Sequence, residues 1–264
     1  MRLYHLNCGT MYPYYLRRRG IIYCLLVETN DGLLLVDTGI GAKDYTTPTW
    51  FMHLFTQLVR MPCDVAETAA NQVIRLGYQV ADVRHIVMTH LHLDHASGLS
   101  DFPDAKVHIS RPEYEVAMGR WVLMPRGYIA DHWSHGPDWI IHEGEPETWF
   151  GFDSFRVQEG LRPEVLMIPL PGHTSGHCGV AIKTPNAWWL HCGDAVSRFY
   201  PSADPYCLSD GSPNWLVRQL IGEHVPRLRA LIREHGDEVK IIGAHDSHSL
   251  ARYQRIGRQG ARIG

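Results

Sequence analysis

The segment His90-Leu-His-Leu-Asp-His95 concentrates three imidazoles and one carboxylate in six residues. Three more such groups stand further along: His173 in PGHTSGH, Asp194 in HCGDA and His245 in GAHD. Side chains two apart in an extended segment point the same way, so His90 and His92 can share one metal ion. Asp94 and His95, after a turn, can reach a second. His173 and His245 can complete the two sets, and Asp194, with two carboxylate oxygens, can bridge them. Two ions roughly 3.5–4 Å apart can hold a bridging water as hydroxide at neutral pH, which is hydrolytic chemistry. Nitrogen and carboxylate donors without thiolate suit two divalent ions: Zn2+, but also Fe, Mn or Co.

These groups need strands to position them. Each follows an apolar run: VRHIVMTH, VLMIPLPGH, AWWLHCGD and VKIIGAHD. In α/β proteins ligands gather at the C-terminal ends of strands, so four strand ends are expected to share one edge of the sheets. Upstream, residues 2–8 read as a strand. GIIYCLLVET and GLLLVDTG read as a hairpin turned at Asn30-Asp31-Gly32, its second arm ending at Asp37-Thr38-Gly39. The stretch Thr49 to Phe55 reads as an amphipathic helix or a flap. Asp64 to Val83 reads as one helix, with Val65, Ala69, Val73 and Leu76 at helical spacing and Gly77 suited to its C-terminal end. AKVHIS is a further strand, and RPEYEVAMG a helix with Pro112 near its start. Residues 119–165 read as irregular and aromatic. Residues 212–236 are helical, with a break expected at Pro226. No repeat or low-complexity linker divides the chain, so residues 1–264 are expected to form one domain.

Composition narrows the functions. The net charge is −3 with no basic stripe, which argues against nucleic acid. Histidine stands out, with 17 residues, and imidazole is the commonest protein metal ligand. Cys8, Cys24, Cys63, Cys178, Cys192 and Cys207 form no C-x-x-C pair, which fits free thiols in a reducing compartment. Arg17 to Asn30 imitates a signal peptide, but its apolar run ends at Glu28 and continues as the hairpin. No run is long enough to span a bilayer. The protein is expected to be cytoplasmic, without a membrane partner; a homodimer stays open.

The ordered set His-x-His-x-Asp-His, PGHTSGH, GDA and GAHD, with VDTG at Val36 to Gly39, resembles the metallo-β-lactamase superfamily. The resemblance runs from about residue 3 to residue 248. It implies an αβ/βα four-layer sandwich, two central β-sheets flanked by helices. It implies His90, His92 and His173 on one metal, Asp94, His95 and His245 on the other, and Asp194 between them. Asp37 would orient a ligand imidazole, or simply cap its turn. His177, His191 and His248 flank the motifs and are expected to be mostly structural.

Branches of the superfamily differ in ways this chain addresses. His92 stands where the diiron flavoprotein branch has glutamate. Asp194 fills a position that zinc β-lactamases generally lack. Only 19 residues follow His245, against the long C-terminal helical domain of glyoxalase II, and the extra domain of the nucleic-acid branches has no room. What remains resembles the quorum-quenching N-acyl homoserine lactonases, which open a lactone ring. In that reading one metal polarises the carbonyl, the other stabilises the leaving alkoxide, and Asp94 shuttles a proton to it. Those enzymes usually carry a tyrosine three residues after the bridging aspartate. Here Ser197 occupies that place and Tyr200 follows, so Tyr200 is the candidate hydroxyl donor and Ser197 its competitor. Thr49–Phe55 and Trp121–Trp139 are candidate linings for an apolar substituent on a lactone or ester substrate. Two alternatives stay open: a thioesterase or other small-molecule ester or amide metallohydrolase, and a metal-binding sensor or scaffold.

Overall fold

The computed structural model describes residues 1–13, 19–119, 127–196 and 224–258. Twelve strands form two six-stranded sheets among these residues. The first sheet takes β1 (Leu3–Met11), β2 (Gly20–Thr29), β3 (Gly32–Val36), β4 (Val83–Val87), β5 (Lys106–Ser110) and β6 (Asp138–His142) in sequence order. The second runs β12-β11-β10-β9-β8-β7, from β7 (Glu147–Trp149), β8 (Phe152–Arg156), β9 (Val165–Pro169), β10 (Cys178–Lys183), β11 (Trp188–His191) and β12 (Val239–Ile242). Both are mixed. The hairpin β1-β2-β3 is antiparallel and β3 to β6 are parallel, while in the second sheet only β11 and β12 run parallel.

The strand period sorts side chains into layers. Along β2, Ile21, Tyr23, Leu25 and Val27 face the second sheet, where they meet Met167, Val180 and Ile182. The alternate residues Ile22, Cys24 and Leu26 face outward into a separate core. Burial on both faces explains why β2 reads as an unbroken apolar run rather than an alternating one. The outer face of the first sheet is covered by Met52 of α2 (Trp50–Leu58), Val73 of α3 (Ala69–Arg75), Leu93 of α4 (Leu93–Ala96) and Ala117 of α5 (Arg111–Met118); α1 (Ala42–Thr46) precedes them. Val225, Leu228 and Leu231 of α6 (His224–His235) pack on the outer face of the second. Leu250 of α7 (Ser247–Arg258) joins the core between the sheets. This is the expected sandwich.

Several local expectations change. The helix expected over Asp64 to Val83 is broken into a 3-10 turn at Val65–Glu67, α3, and a second turn at Val80–Asp82. The Thr68 hydroxyl accepts from the Asn71 N–H and starts α3 afresh. Gly77, at φ +91, ends it. Residues 119–165 hold β6, β7 and β8, strands too short and too half-exposed to alternate clearly. Pro226 lies within α6, whose described residues continue past it to His235 without a break, and residues 212–223 of the expected helix lie outside the described residues. No helix of the described residues is long and apolar enough to cross a membrane.

One polar row crosses the first sheet. His85 of β4 donates from Nε2 to Asp31 at 3.1 Å, which leaves Nδ1 to accept from His108 Nε2 of β5 at 3.0 Å. His108 Nδ1 then accepts from His142 Nε2 of β6 at 3.0 Å. Burial pushes His108 down to about 3, with His142, His85 and Lys106 adding to it, and burial lowers His142 as well. The folded protein keeps both rings neutral, while the unfolded chain protonates them below about pH 6.5. The contribution of His108 to stability is therefore complete above about pH 6.5 and is lost as pH falls toward about 3, and His142 acts in the same direction. Each such proton adds a slope of at most about 1.4 kcal/mol per pH unit. His108→Gln, which keeps a donor and an acceptor but cannot titrate, should flatten the fall in denaturation midpoint between pH 7 and 5. Parallel wild-type and variant curves would remove the row as a source of acid sensitivity.

Candidate metal centre

The candidate ligands converge at strand ends, as their spacing implies. His90 and His92 follow β4, His95 lies in α4, His173 follows β9, Asp194 follows β11 and His245 follows β12. Ligand atoms of His90, His92 and His173 lie within 4.8 Å of one another, and so do those of Asp94, His95 and His245. Asp194 stands between the triads. Its Oδ2 is 3.3 Å from His173 Nε2, and its Oδ1 is 3.2 Å from His245 Nε2 and 3.5 Å from His95 Nε2.

The ring tautomers follow from the partners. His95 donates from Nδ1 to Asp37 Oδ2 at 2.8 Å. His245 donates from Nδ1 to the Ile21 carbonyl at 2.8 Å. Thr89 gives its hydroxyl proton to Asp37 Oδ2, so its oxygen accepts from His90 Nδ1 at 3.1 Å. In its neutral form each of the three rings therefore turns Nε2 inward. The Nε2 atoms of His90 and His95 and Oδ1 of Asp194 are buried with no hydrogen-bond partner among the described residues. Buried acceptors left unpaired are costly, so their shared focus fits a cation. His92 Nδ1 and His173 Nε2 also face each other, 2.9 Å apart.

The electrostatics agree. Burial, with His95, His92 and His173 nearby, holds His90 well below the usual imidazole range. Burial likewise lowers His92 to about 4. Both stay neutral, as ligands must. Burial alone would lower His95 too, but the carboxylates of Asp94, Asp194 and Asp37 outweigh it and raise the ring. His245 rises to about 8 against burial, through Asp194 and Asp94. The second triad thus lies in a field that draws in positive charge.

Asp37 orients His95 as well as shaping its own turn. It sits at φ 54, in the left-handed region, fully buried, and also accepts from the Thr89 N–H at 2.8 Å. Thr89 was not singled out in the sequence; its place directly before His90 is the signal that would have found it. His177 and His191 are structural in a specific sense. The Asp194 N–H donates to His177 Nε2 at 3.0 Å and the Gly193 N–H to His191 Nδ1 at 3.2 Å, so two rings hold the turn that presents Asp194. His248 is exposed.

The proposed linings divide. Tyr128 packs edge to face on His92, ring centroids 4.9 Å apart. Trp133 is buried in the outer core of the first sheet, and Trp139 packs there against Tyr114. In α2, Phe51 and Phe55 pack on the same core, whereas Trp50 is 77% exposed and Leu54 55%. Trp121, Ser197, Tyr200 and Cys207 lie outside the described residues.

Residues 17–221 match the family described as the Metallo-beta-lactamase superfamily. The chain belongs to the metallo-β-lactamase superfamily. Among proteins similar to this superfamily member is a probable metallo-hydrolase of Mycobacterium tuberculosis. It is 37% identical over 96% of this chain and 83% of that protein. An N-acyl homoserine lactonase of Bacillus thuringiensis is 30% identical over 62% of this chain and 58% of its own. A solved N-acyl homoserine lactone hydrolase, with N-hexanoyl-L-homoserine bound at its catalytic metal center, superposes with a TM-score of 0.67. It covers 95% of each chain at 22% identity, a likeness of fold. The chain is a metallo-hydrolase of this superfamily.

The turn before Asp194 gives a sharp test. Gly193 has φ +51, and a Cβ there would approach His177 Nε2 to 2.6 Å and Thr89 to 2.9 Å. Gly193→Ala should cost about 1–3 kcal/mol in chemical denaturation, from left-handed strain and overpacking together. It should also lower the bound divalent metal measured by elemental analysis. Wild-type stability with full metal content would show that the turn tolerates the change.

Proposed function

We propose that this protein is a dinuclear metal-dependent lactonase that opens N-acyl homoserine lactones or closely similar esters. The observation that carries the reading is Asp194, whose two oxygens face different sets of histidines. One carboxylate between two triads is what a pair of ions needs and a single ion does not. The seven candidate ligands are His90, His92, Asp94, His95, His173, Asp194 and His245. The donor set suits Zn2+ and is also compatible with Fe, Mn or Co. Bound there, two such ions supply electrophilic polarisation of a carbonyl and a nucleophile drawn from water at neutral pH. The lactone as substrate rests on the homoserine lactonase relative and on the bound product in the structural neighbour.

The protein's own residues supply the rest. His173, Asp194 and Asp94 side chains are 20%, 14% and 18% accessible, against 0% for His95 and 5% for His245, so substrate approaches along the accessible three. Asp94, on that edge, carries the proton to the leaving alkoxide. Tyr128 against His92 offers an apolar wall beside the approach. Thr49–Phe55, through its exposed Trp50 and Leu54, is the candidate lining for the acyl chain. Tyr200, or Ser197 in its place, donates a hydrogen bond to the carbonyl oxygen as it gains charge. The five described cysteines are all free, which supports a cytoplasmic location.

Protein purified without chelator should contain about two equivalents of divalent metal, and Asp194→Ala should hold less and lose most hydrolysis. In a panel of lactones, thioesters and β-lactams, kcat/KM should be highest for lactones. It should rise with acyl length by at most about 0.8 kcal/mol per methylene. Tyr200→Phe should lower kcat by roughly tenfold to a thousandfold at unchanged metal content, the scale of one lost oxyanion donor. A silent Tyr200→Phe with a damaging Ser197→Ala assigns the role to the serine. Thioester preference would move the substrate class within the superfamily, and metal binding without turnover of any ester would favour a sensor or scaffold.

A further inference from the structure

Glu113 is a buried carboxylate that neither the motifs nor the proposed chemistry uses. It lies in the first turn of α5 with no exposed surface. Its partners come from three separate segments. Oε1 accepts from the Leu91 N–H at 2.9 Å and from the Tyr128 hydroxyl at 2.9 Å. Oε2 accepts from the Thr174 hydroxyl at 2.6 Å. Leu91 sits between His90 and His92, Thr174 directly follows His173, and Tyr128 packs on the His92 ring. Every one of these contacts leads to the first triad.

The backbone repeats the attachment. Ser110 caps α5 by accepting from the Glu113 N–H at 3.4 Å, and its hydroxyl donates to the Gly176 carbonyl at 2.6 Å. Gly176 lies so close that a Cβ there would stand 2.0 Å from the Glu113 nitrogen. The loop bearing His173 is thus seated on the first turn of α5 while the Glu113 side chain reaches past it to the His90–His92 segment. None of these hydrogen bonds of Glu113 is with Asp94, His95 or His245.

A buried carboxylate is costly unless its hydrogen bonds are met, and here three donors meet them. Apolar packing could fill the same volume, so what the carboxylate's hydrogen bonds add is the fixed relation of three segments. We propose that Glu113 is the positioning residue of the first triad. It sets the separation of the His90–His92 segment from the His173 loop, and with it the affinity for the ion held by those three rings, leaving the second triad unchanged. This rests on the dinuclear reading above.

The test is stepwise metal binding to metal-free protein, with Zn2+ titrated in competition with a chromophoric chelator. His92→Ala identifies which step belongs to the first triad. Glu113→Ala should weaken that step by about tenfold to a hundredfold, the usual effect of removing a group that orients a ligand, and leave the other within about twofold. Glu113→Gln should recover most of the loss. Its amide oxygen still accepts from Leu91 and Tyr128, and its NH2 meets the Thr174 hydroxyl, which can turn to accept. Thr174→Val and Tyr128→Phe each remove one donor without emptying the site. Both should weaken the first-triad step alone, which covers the case in which Glu113→Ala does not fold. Equal weakening of both steps, or a lower denaturation midpoint with both affinities intact, would overturn the proposal and leave Glu113 as a packing residue. A wild type that binds no ion would instead overturn the dinuclear reading itself, an outcome seen before any variant is compared.

Discussion

Asp37 is the point on which the centre turns. Its carboxylate lies buried at a residue with φ 54 and takes three hydrogen bonds, from the Thr89 N–H, the Thr89 hydroxyl and His95 Nδ1. Two of the three set ring orientation, for His95 directly and for His90 through Thr89. An imidazole that donates at Nδ1 has its lone pair at Nε2, so one carboxylate aims two nitrogens at the same place. His95 in return holds Asp37 ionised: burial alone would raise that carboxyl, and the ring beside it keeps the group below its ordinary range. The strained backbone of Asp37 persists because Val87, Thr89 and His95 bond it from three sides.

The two sheets then act as one frame around that point. The first sheet carries Asp37 at the end of β3 and the His90–His95 segment after β4; the second carries His173, Asp194 and His245 after β9, β11 and β12. Side chains from both inner faces pack into one core, so the two sets of strand ends are held at a constant separation. Polar links cross the gap as well. His191 of β11 donates to the Tyr23 carbonyl of β2 at 2.7 Å, and the Tyr23 N–H donates to the Ala244 carbonyl at 2.7 Å. Dense cores resist small displacements, which is what a cluster with sub-ångström tolerances requires.

Much of this was legible in the sequence, and the reason is local. The candidate ligands stand at the ends of apolar runs, so strand reading and ligand reading reinforced each other. The β2–β3 hairpin was announced by Asn30-Asp31-Gly32 between two such runs. What was not legible depended on distance. Glu113 looks like an ordinary acid in a helix's first turn, and only the fold brings Leu91, Tyr128 and Thr174 to it. The row His85–His108–His142 has no sequence pattern because its members sit on three neighbouring strands. The break at Thr68 was hidden because helical spacing continues on both sides of it, while the capping hydroxyl decides the matter. Trp133 and Trp139 were candidate linings, and tertiary contact places both in the packing of the outer core instead.

The anchoring of His245 to the Ile21 carbonyl spans 224 residues of chain. It also imposes an order of events during synthesis. The first triad has all its side chains once His173 has been added, the carboxylate between the triads arrives at Asp194, and the second triad waits for His245. At about 5–20 residues per second, the 72 residues from 173 to 245 take roughly 4–14 s on the ribosome. For that interval the nascent chain carries one complete set of imidazoles beside a half-built neighbour. Among the described strands β12 is the last to be made, and the histidine behind it completes the second triad.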